Sequence, residues 1–403
     1  MADKTPVRRV AFAFIFLLIF AQSAAAALRT VETRYYRIHA DLPSSLVASI
    51  GDELDRMHVE YARRLAGFGV PAAASKCEIY LFENESDYVG FVGEAHGHSG
   101  GVFMPDRNAI AAYLGDQGRD RLRAVLRHEG FHQFAHAVID HDIPVWLNEG
   151  IAQLFEEGIW VEEGNASRLV LGQVPPTRLR RLLVDGKSGK LMPLDQLMAL
   201  DSEAWWANMA DPDTSAMQYN LAWAAAHFLV YDEQGGDHRL RRRLLHALKL
   251  MHAGYGADVA MRRSFGDDYR PMQSAFLQYC NQLRPTAEAT ALEHQRIRAD
   301  MIRLLHGNGI TFKNAGELRR FADRHKVRIT YQDGTLRWQS NADPARHFVD
   351  HAGNPLPDSQ LFFSRAQRSL PDLICRPGGR VELVTRFHRF GDHVDHETVV
   401  RLR

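Results

Sequence analysis

The chain has 403 residues, in which 49 lysines and arginines balance 49 aspartates and glutamates, giving a formal net charge of zero. Nothing in that balance points to a general surface for nucleic acid or for an anionic membrane. Three cysteines, Cys77, Cys280 and Cys375, are too few and too scattered for a disulfide framework or a cysteine metal cluster; they leave room for one bridge, which the sequence does not name.

Length suggests two domains. Met1–Ala27 has the three parts of a secretory signal peptide: basic Lys4, Arg8 and Arg9, the apolar run Val10–Ala21, and the small residues Ser23–Ala27. The run is shorter than the roughly 20 residues of a membrane span, and no cysteine follows it for lipid attachment. The mature chain is therefore expected outside the cytoplasm, secreted or periplasmic and without a stable membrane span, with an uncleaved anchor as the alternative. The segment holds three basic residues and one acidic, so its removal leaves the chain two charges negative. Tyr35–Asp41 reads as a strand, Ser44–Phe68 as an amphipathic helix, Cys77–Phe82 as a second strand and Ser86–Val92 as a short helix. His96 and His98 sit in the glycine-rich stretch Gly93–Gly101 and read as loop histidines. Val102-Phe103 and Ala109–Tyr113 read as a strand or hairpin around Pro105-Asp106.

Arg119–Ile139 is expected as a helix. Its apolar residues, among them Leu122, Val125, Leu126, Phe131, Phe134 and Val138, lie nearly all round, so it should be buried. Within it stands His128-Glu129-Gly130-Phe131-His132. Residues four apart share a helix face, roughly 6 Å apart, so both imidazoles can reach one metal ion. Glu129 points about 100° away from His128, where a carboxylate can touch a bound water without ligating. His136 is eight residues from His128, about 12 Å along the axis, and cannot join them. Gly130 costs roughly 1 kcal/mol against alanine, which suggests tight packing near the metal. Pro144 starts a second helix, Val145–Glu157, carrying Trp146-Leu147-Asn148-Glu149-Gly150-Ile151-Ala152. A catalytic zinc usually keeps three protein ligands and one open position. Glu149, in its own helix after a chain reversal, is the best third ligand. An H-E-x-x-H helix points to hydrolysis by metal-activated water.

Beyond it, Leu169–Ala210 reads as irregular, with Pro175-Pro176, Gly186 and Gly189. Gln218–Tyr231, Arg239–Met251 and Pro271–Leu283 read as helices, with a turn at Ser264–Asp267. Pro285 marks a boundary. After it come a charged helix Thr286–Leu305, a short helix Asn314–His325 capped by Asn314, and a hairpin Val327–Gln332 and Thr335–Ser340 about Asp333-Gly334. Val381–Arg389 and Glu397–Leu402 are further strands. The expected organisation is α+β: a catalytic domain over residues 28–284, split into an α/β lobe (28–139) and a helical lobe (140–284), then a small α+β appended domain (285–403).

His128–His132 followed by Pro-Val-Trp-Leu-Asn-Glu-Gly-Ile-Ala-Gln-Leu-Phe-Glu (residues 144–156) resembles the gluzincin metallopeptidases, the peptidase MA-like group of zinc aminopeptidases and thermolysin-like enzymes. The resemblance implies a thermolysin-like zincin fold, two lobes around a cleft. It implies one Zn2+ held by His128, His132 and Glu149, with Glu129 as general base. Similar enzymes place a tyrosine or histidine opposite the metal to steady the oxyanion, which falls here on Tyr219, at the head of an apolar helix. They also border the cleft with a strand that pairs with substrate backbone, which falls on Ala109, Ile110, Ala111, Ala112 and Tyr113. The metzincin pattern is excluded, because Ala135 and Val138 stand where it needs glycine and histidine. The aminopeptidase G-x-M-E-N segment has no counterpart; Gly100–Asp106, nearest by position, lacks the acidic pair at the matching place. The expected function is a zinc-dependent endopeptidase acting on peptide or protein substrates. The alternatives are a binding protein on a retired scaffold, which would have no use for Glu129, and a hydrolase of cell-wall peptides.

Overall fold

The computed structural model describes residues 28–68, 76–94, 99–139, 143–232, 238–333, 336–339, 347–364, 370–390 and 393–403. The expected signal peptide (residues 1–27), His96 and His98 lie outside the described residues. Among the described residues, no helix is long and apolar enough to cross a membrane.

The fold is mixed α+β. It opens with strands β1 (Arg29–Glu32) and β2 (Tyr36–Ala40), helix α1 (Ser44–Arg64), strand β3 (Cys77–Phe82), helix α2 (Glu85–Val92), and strands β4 (Gly101–Met104) and β5 (Ala109–Tyr113). The five strands form one sheet in the order β1-β2-β3-β5-β4. β2, β3 and β5 run parallel, while β1 and β4 are antiparallel to their neighbours. α1 forms because Leu46, Val47, Ile50, Leu54, Met57 and Tyr61 recur at helical spacing on one face, and all six are buried. Its regular turns stop at Arg64, and the expected extension to Phe68 is a short 3-10 turn.

Helix α3 (Gly118–Ile139) joins two cores. Leu122, Val125 and Leu126 pack on the sheet with Ile38, Ile79 and Ile110. Phe131, Phe134 and Val138 enter the helical core with Trp146, Trp205 and Trp223. Serving both explains why its apolar residues run nearly all round. Gly130 faces α1, where an added Cβ would stand 3.0 Å from the Tyr61 hydroxyl. That hydroxyl donates to the Arg127 carbonyl at 2.6 Å, so the tight packing expected at Gly130 is against α1.

Helix α4 (Val145–Glu156) follows Pro144, and β6 (Ile159–Glu163) and β7 (Ala166–Val170) form a hairpin. Helices α5 (Pro176–Lys187), α6 (Leu194–Ala199), α7 (Ser202–Asn208), α8 (Pro212–Tyr231), α9 (Arg239–His252), α10 (Ala257–Phe265) and α11 (Arg270–Gln282) complete the helical part. The expectation of irregular chain across Leu169–Ala210 is corrected: three helices occupy most of it. Pro176 begins α5, at a position where a helix needs no N–H donor. Asp201 caps α7 by accepting from the Ala204 amide at 2.8 Å. α8 is buried without interruption from Asn220 to Leu229. It lies so close to α4 that a Cβ on Gly150 would run into the Ala222 carbonyl.

The rest comprises α12 (Ala287–Gly307), α13 (Ala315–His325), the two-stranded pair β8 (Thr330–Asp333) and β9 (Leu336–Gln339), then β10 (Leu361–Phe363), β11 (Leu373–Gly378), β12 (Val381–Phe390) and β13 (His393–Leu402). Asn314 caps α13 as expected, accepting from the Glu317 amide at 2.9 Å. The second sheet runs β10-β11-β12-β13-β6-β7. Its β13–β6 junction is parallel, with Val400 opposite Val161, so hydrogen bonding crosses the boundary expected at Pro285. β13 also grips the start of α3. Asp395 pairs with Arg119 at 2.9 Å, Asp120 accepts from the Thr398 amide at 3.1 Å, and Glu397 lies 3.5 Å from Arg123. Residues 285–403 are thus woven into the fold rather than appended to it. Cys77, Cys280 and Cys375 are free and buried, so no bridge forms among them.

Candidate functional site

One face of α3, from Arg121 through Val125, His128, Glu129 and His132 to His136, floors a cleft of about 1060 Å³. Sixteen residues of helix, fifteen rises of about 1.5 Å, make that floor about 22 Å long, and the His-Glu segment lies near its middle. α4 supplies Asn148, Glu149 and Glu156 to the walls, and α8 supplies Tyr219 and Asn220. β4 supplies Gly101, Val102 and Phe103, while α12 supplies Glu293, Arg296 and Ile297.

The structure brings His128, His132 and Glu149 together: their potential ligand atoms all lie within 4.8 Å of one another. Glu149 Oε2 is 3.2 Å from His128 Nε2, and Glu149 Oε1 is 3.6 Å from His132 Nε2. Ligands at about 2.0–2.1 Å on a tetrahedral zinc stand about 3.3 Å apart, so these separations bracket the required spacing. The far nitrogens are also held. His128 Nδ1 is 3.0 Å from Glu156 Oε2, and His132 Nδ1 is 3.1 Å from Asn148 Oδ1. Nδ1–H donation to those oxygens would leave each Nε2 lone pair facing Glu149, the tautomer a metal requires. Gly150, the next residue, lets α4 press onto α8 on its other side.

Charge supports the same fit. Glu129, Glu149 and Glu156 are all buried, and Arg121 pairs with Glu156. Three carboxylates against one guanidinium leave two positive charges to be supplied. Two imidazoliums would do so, and so would one divalent cation with neutral imidazoles. Burial alone would raise the Glu149 carboxyl, but the His132 and His128 imidazoles more than offset this and hold it at about 2. Burial opposes charge on His128, yet its contacts with Glu149 and Glu156 carry its pKa well above the usual range. Glu156 is held well below the carboxylate range; burial opposes, while Arg121 and His128 prevail. Glu129 moves the other way. Burial raises it and Glu149 adds to that, against the pull of the two imidazoles. Its Oε2 accepts from the Phe103 amide at 2.9 Å, which fixes the carboxylate between α3 and β4. Tyr219 lines the cleft with its ring edge-on to Trp205 at 5.6 Å. Burial, with Glu149, Glu129 and Glu156 nearby, raises its pKa far enough to keep it a hydrogen-bond donor.

One family model matches, over residues 123–237. Its description is "Protein of unknown function (DUF1570)". No curated protein matches this chain. The matched stretch holds His128, Glu129, His132, Glu149, Glu156 and Tyr219, and excludes both β4 and α12.

The assignment of Ala109–Tyr113 to the cleft edge is corrected. β5 is buried along its whole length and paired on both sides, by β3 and β4, so it has no free edge to offer. β4 is the edge strand, and Gly101–Phe103 face the cleft. His136 is exposed at the end of the floor, against the Phe103 ring. Glu156, which sequence reasoning missed, was findable. It lies seven residues after Glu149, two helical turns along the same face. Asn148 was visible beside Glu149 but had no assigned task. The α12 wall left no local signal, because it arrives through the second sheet.

Proposed function

We propose that this protein is a zinc-dependent peptidase of gluzincin type with a thermolysin-like arrangement, an α/β lobe and a helical lobe meeting at the cleft. It hydrolyses amide bonds within peptide or protein substrates, outside the cytoplasm. The observation that carries this reading is the convergence of His128, His132 and Glu149, with Glu129 beside them. His128, His132 and Glu149 would hold one Zn2+, which when bound polarises the scissile carbonyl and makes water a nucleophile at neutral pH. Glu129 accepts the water proton and delivers it to the leaving nitrogen; burial and the Phe103 amide keep its carboxylate on the cleft side of α3. Tyr219 donates to the oxygen that gains charge. The edge of β4 that β5 leaves open, apart from the Phe103 amide taken by Glu129, offers backbone groups to an extended substrate. Because the floor extends on both sides of His128 and His132, the cleft suits internal cleavage.

The test combines metal analysis with hydrolysis of casein and of quenched peptides. Glu129→Gln should retain about one zinc per chain while turnover drops at least about a hundredfold. Tyr219→Phe should lower turnover with metal content intact. Hydrolysis at the wild-type rate by Glu129→Gln, or by the chelated protein, would overturn the proposal.

A further inference from the structure

The cleft wall contributed by α12 has a property the other walls lack. Four arginines line the cavity: Arg121, Arg178, Arg181 and Arg296. Three have a carboxylate partner, Arg121 with Glu156, Arg178 with Glu157 and Arg181 with Asp185. Arg296 makes no hydrogen bond or ion pair with any described residue. The nearby acids are already engaged. Glu293 accepts from the Thr177 amide at 3.1 Å, and Asp120 accepts from the Thr398 amide. An exposed guanidinium with five donors and no acceptor therefore faces the same cavity as the His-Glu cluster.

Its place along the floor is also fixed. Asp300, one turn after Arg296 on α12, shares the His396 imidazole with Asp120 at the start of α3, at 3.1 and 4.0 Å, which sets Arg296 at the Arg121 end of α3. His128 lies seven residues from Arg121, about 10 Å along the helix axis. An extended peptide covers about 3.3–3.6 Å per residue, so that distance corresponds to about three residues. Ile297, beside Arg296 in the wall, is buried and apolar, and a carboxylate there meets less competition from solvent.

Resting on the peptidase reading above, we propose that Arg296 is a specificity residue that selects substrates bearing a carboxylate about three residues from the bond cleaved. The carboxylate comes either from an acidic side chain or from the peptide's own C-terminus. Arginine suits either, since its planar fork takes a carboxylate through two parallel hydrogen bonds.

The experiment uses the full chain with its metal and two pairs of quenched peptides. One pair differs only in a C-terminal acid or amide, the other only in glutamate or glutamine at the third position from the scissile bond. Each pair is measured for kcat/KM, and for affinity by calorimetry on the Glu129→Gln protein. The acidic member of at least one pair should be preferred by about tenfold or more, and which pair responds identifies the source of the carboxylate. Arg296→Ala should reduce the preference to about one, and Arg296→Glu should invert it. Equal use of acidic and neutral members, or a preference that survives Arg296→Ala, would overturn the proposal. If no peptide is cut, the peptidase reading falls. Calorimetry then decides the matter alone: an acid preference that depends on Arg296 supports the subsite, while equal or absent binding of the two members sinks it.

Discussion

Replacing Glu156 by glutamine removes one negative charge and leaves an amide of the same shape beside His128 Nδ1. In the wild type that carboxylate accepts from His128 at 3.0 Å and pairs with Arg121. It thereby fixes the imidazole ring and strengthens Nε2 as a donor to a metal. The glutamine can keep the hydrogen bond through its carbonyl, but the electrostatic push on the ring is lost. Removing such a partner typically costs 10- to 100-fold in metal affinity, equivalent to about 1.4–2.7 kcal/mol. Arg121 is half exposed, so its guanidinium can turn to solvent, and the fold should survive. Zinc titration against a chromophoric chelator reads the affinity, and circular dichroism verifies the fold. Glu156→Ala, which also deletes the acceptor, should lose more than Glu156→Gln. If both folded variants hold zinc within twofold of the wild type, Glu156 does not support the metal site, and the reading of His128 Nδ1 as an anchored N–H is wrong.

Gly150→Ala should destabilise the protein by about 1–3 kcal/mol in a urea titration, because the new methyl group overpacks the α4–α8 contact. The roughly 1 kcal/mol gained in helix propensity offsets this only in part; a variant as stable as the wild type would mean the two helices can move apart freely. Glu397 carries an acid-stability contribution. Its carboxyl is drawn down to about 2 by the His388 imidazole 3.3 Å away, with burial opposing and Arg123 assisting. A depressed carboxyl stabilises fully above its unfolded value, about 4.3, and loses that contribution as pH falls from there towards 2. After discounting for partial exposure, the wild type should lose on the order of 1–2 kcal/mol more than Glu397→Gln between pH 7 and pH 3. Parallel losses in the two proteins would remove the assignment. Deleting residues 285–403 should abolish cooperative thermal unfolding, since it strips β13 from β6 and from Arg119; a fragment that melts as sharply as the full chain would show an independent domain.

The two helices that carry the candidate site were legible because their chemistry is local. Four-residue spacing places His128 and His132 on one face whatever the surroundings, and the segment around Glu149 carries its own turn and apolar pattern. α1, β3 and the β4–β5 hairpin were legible for a similar reason, since each buries a face at its own period. Residues 169–210 misled because prolines and glycines were read as breaks. Pro176 instead opens a helix and Gly189 closes the turn after one, with φ near +71°. The exchange of β4 for β5 at the edge arose because two short neighbouring strands differ only in their partners, and partners are not written locally. The largest omission was the parallel junction of β13 and β6. Neither strand carries a mark of the other, so nothing near Ile159 announces Val400. The α12 wall and Arg296 were missed with it.

That junction has a bearing on how the molecule comes to be made. Arg401 and Glu162 meet across 239 residues of chain, and a loop closure of that length comes late in folding. On a ribosome, the donors at His128, His132 and Glu149 emerge long before the strand that braces the helix beneath two of them. A nascent polypeptide would thus hold every reactive group yet lack the brace that aligns them. If the proposed peptidase activity holds, such an order of events would keep the cleft inert until synthesis was almost finished.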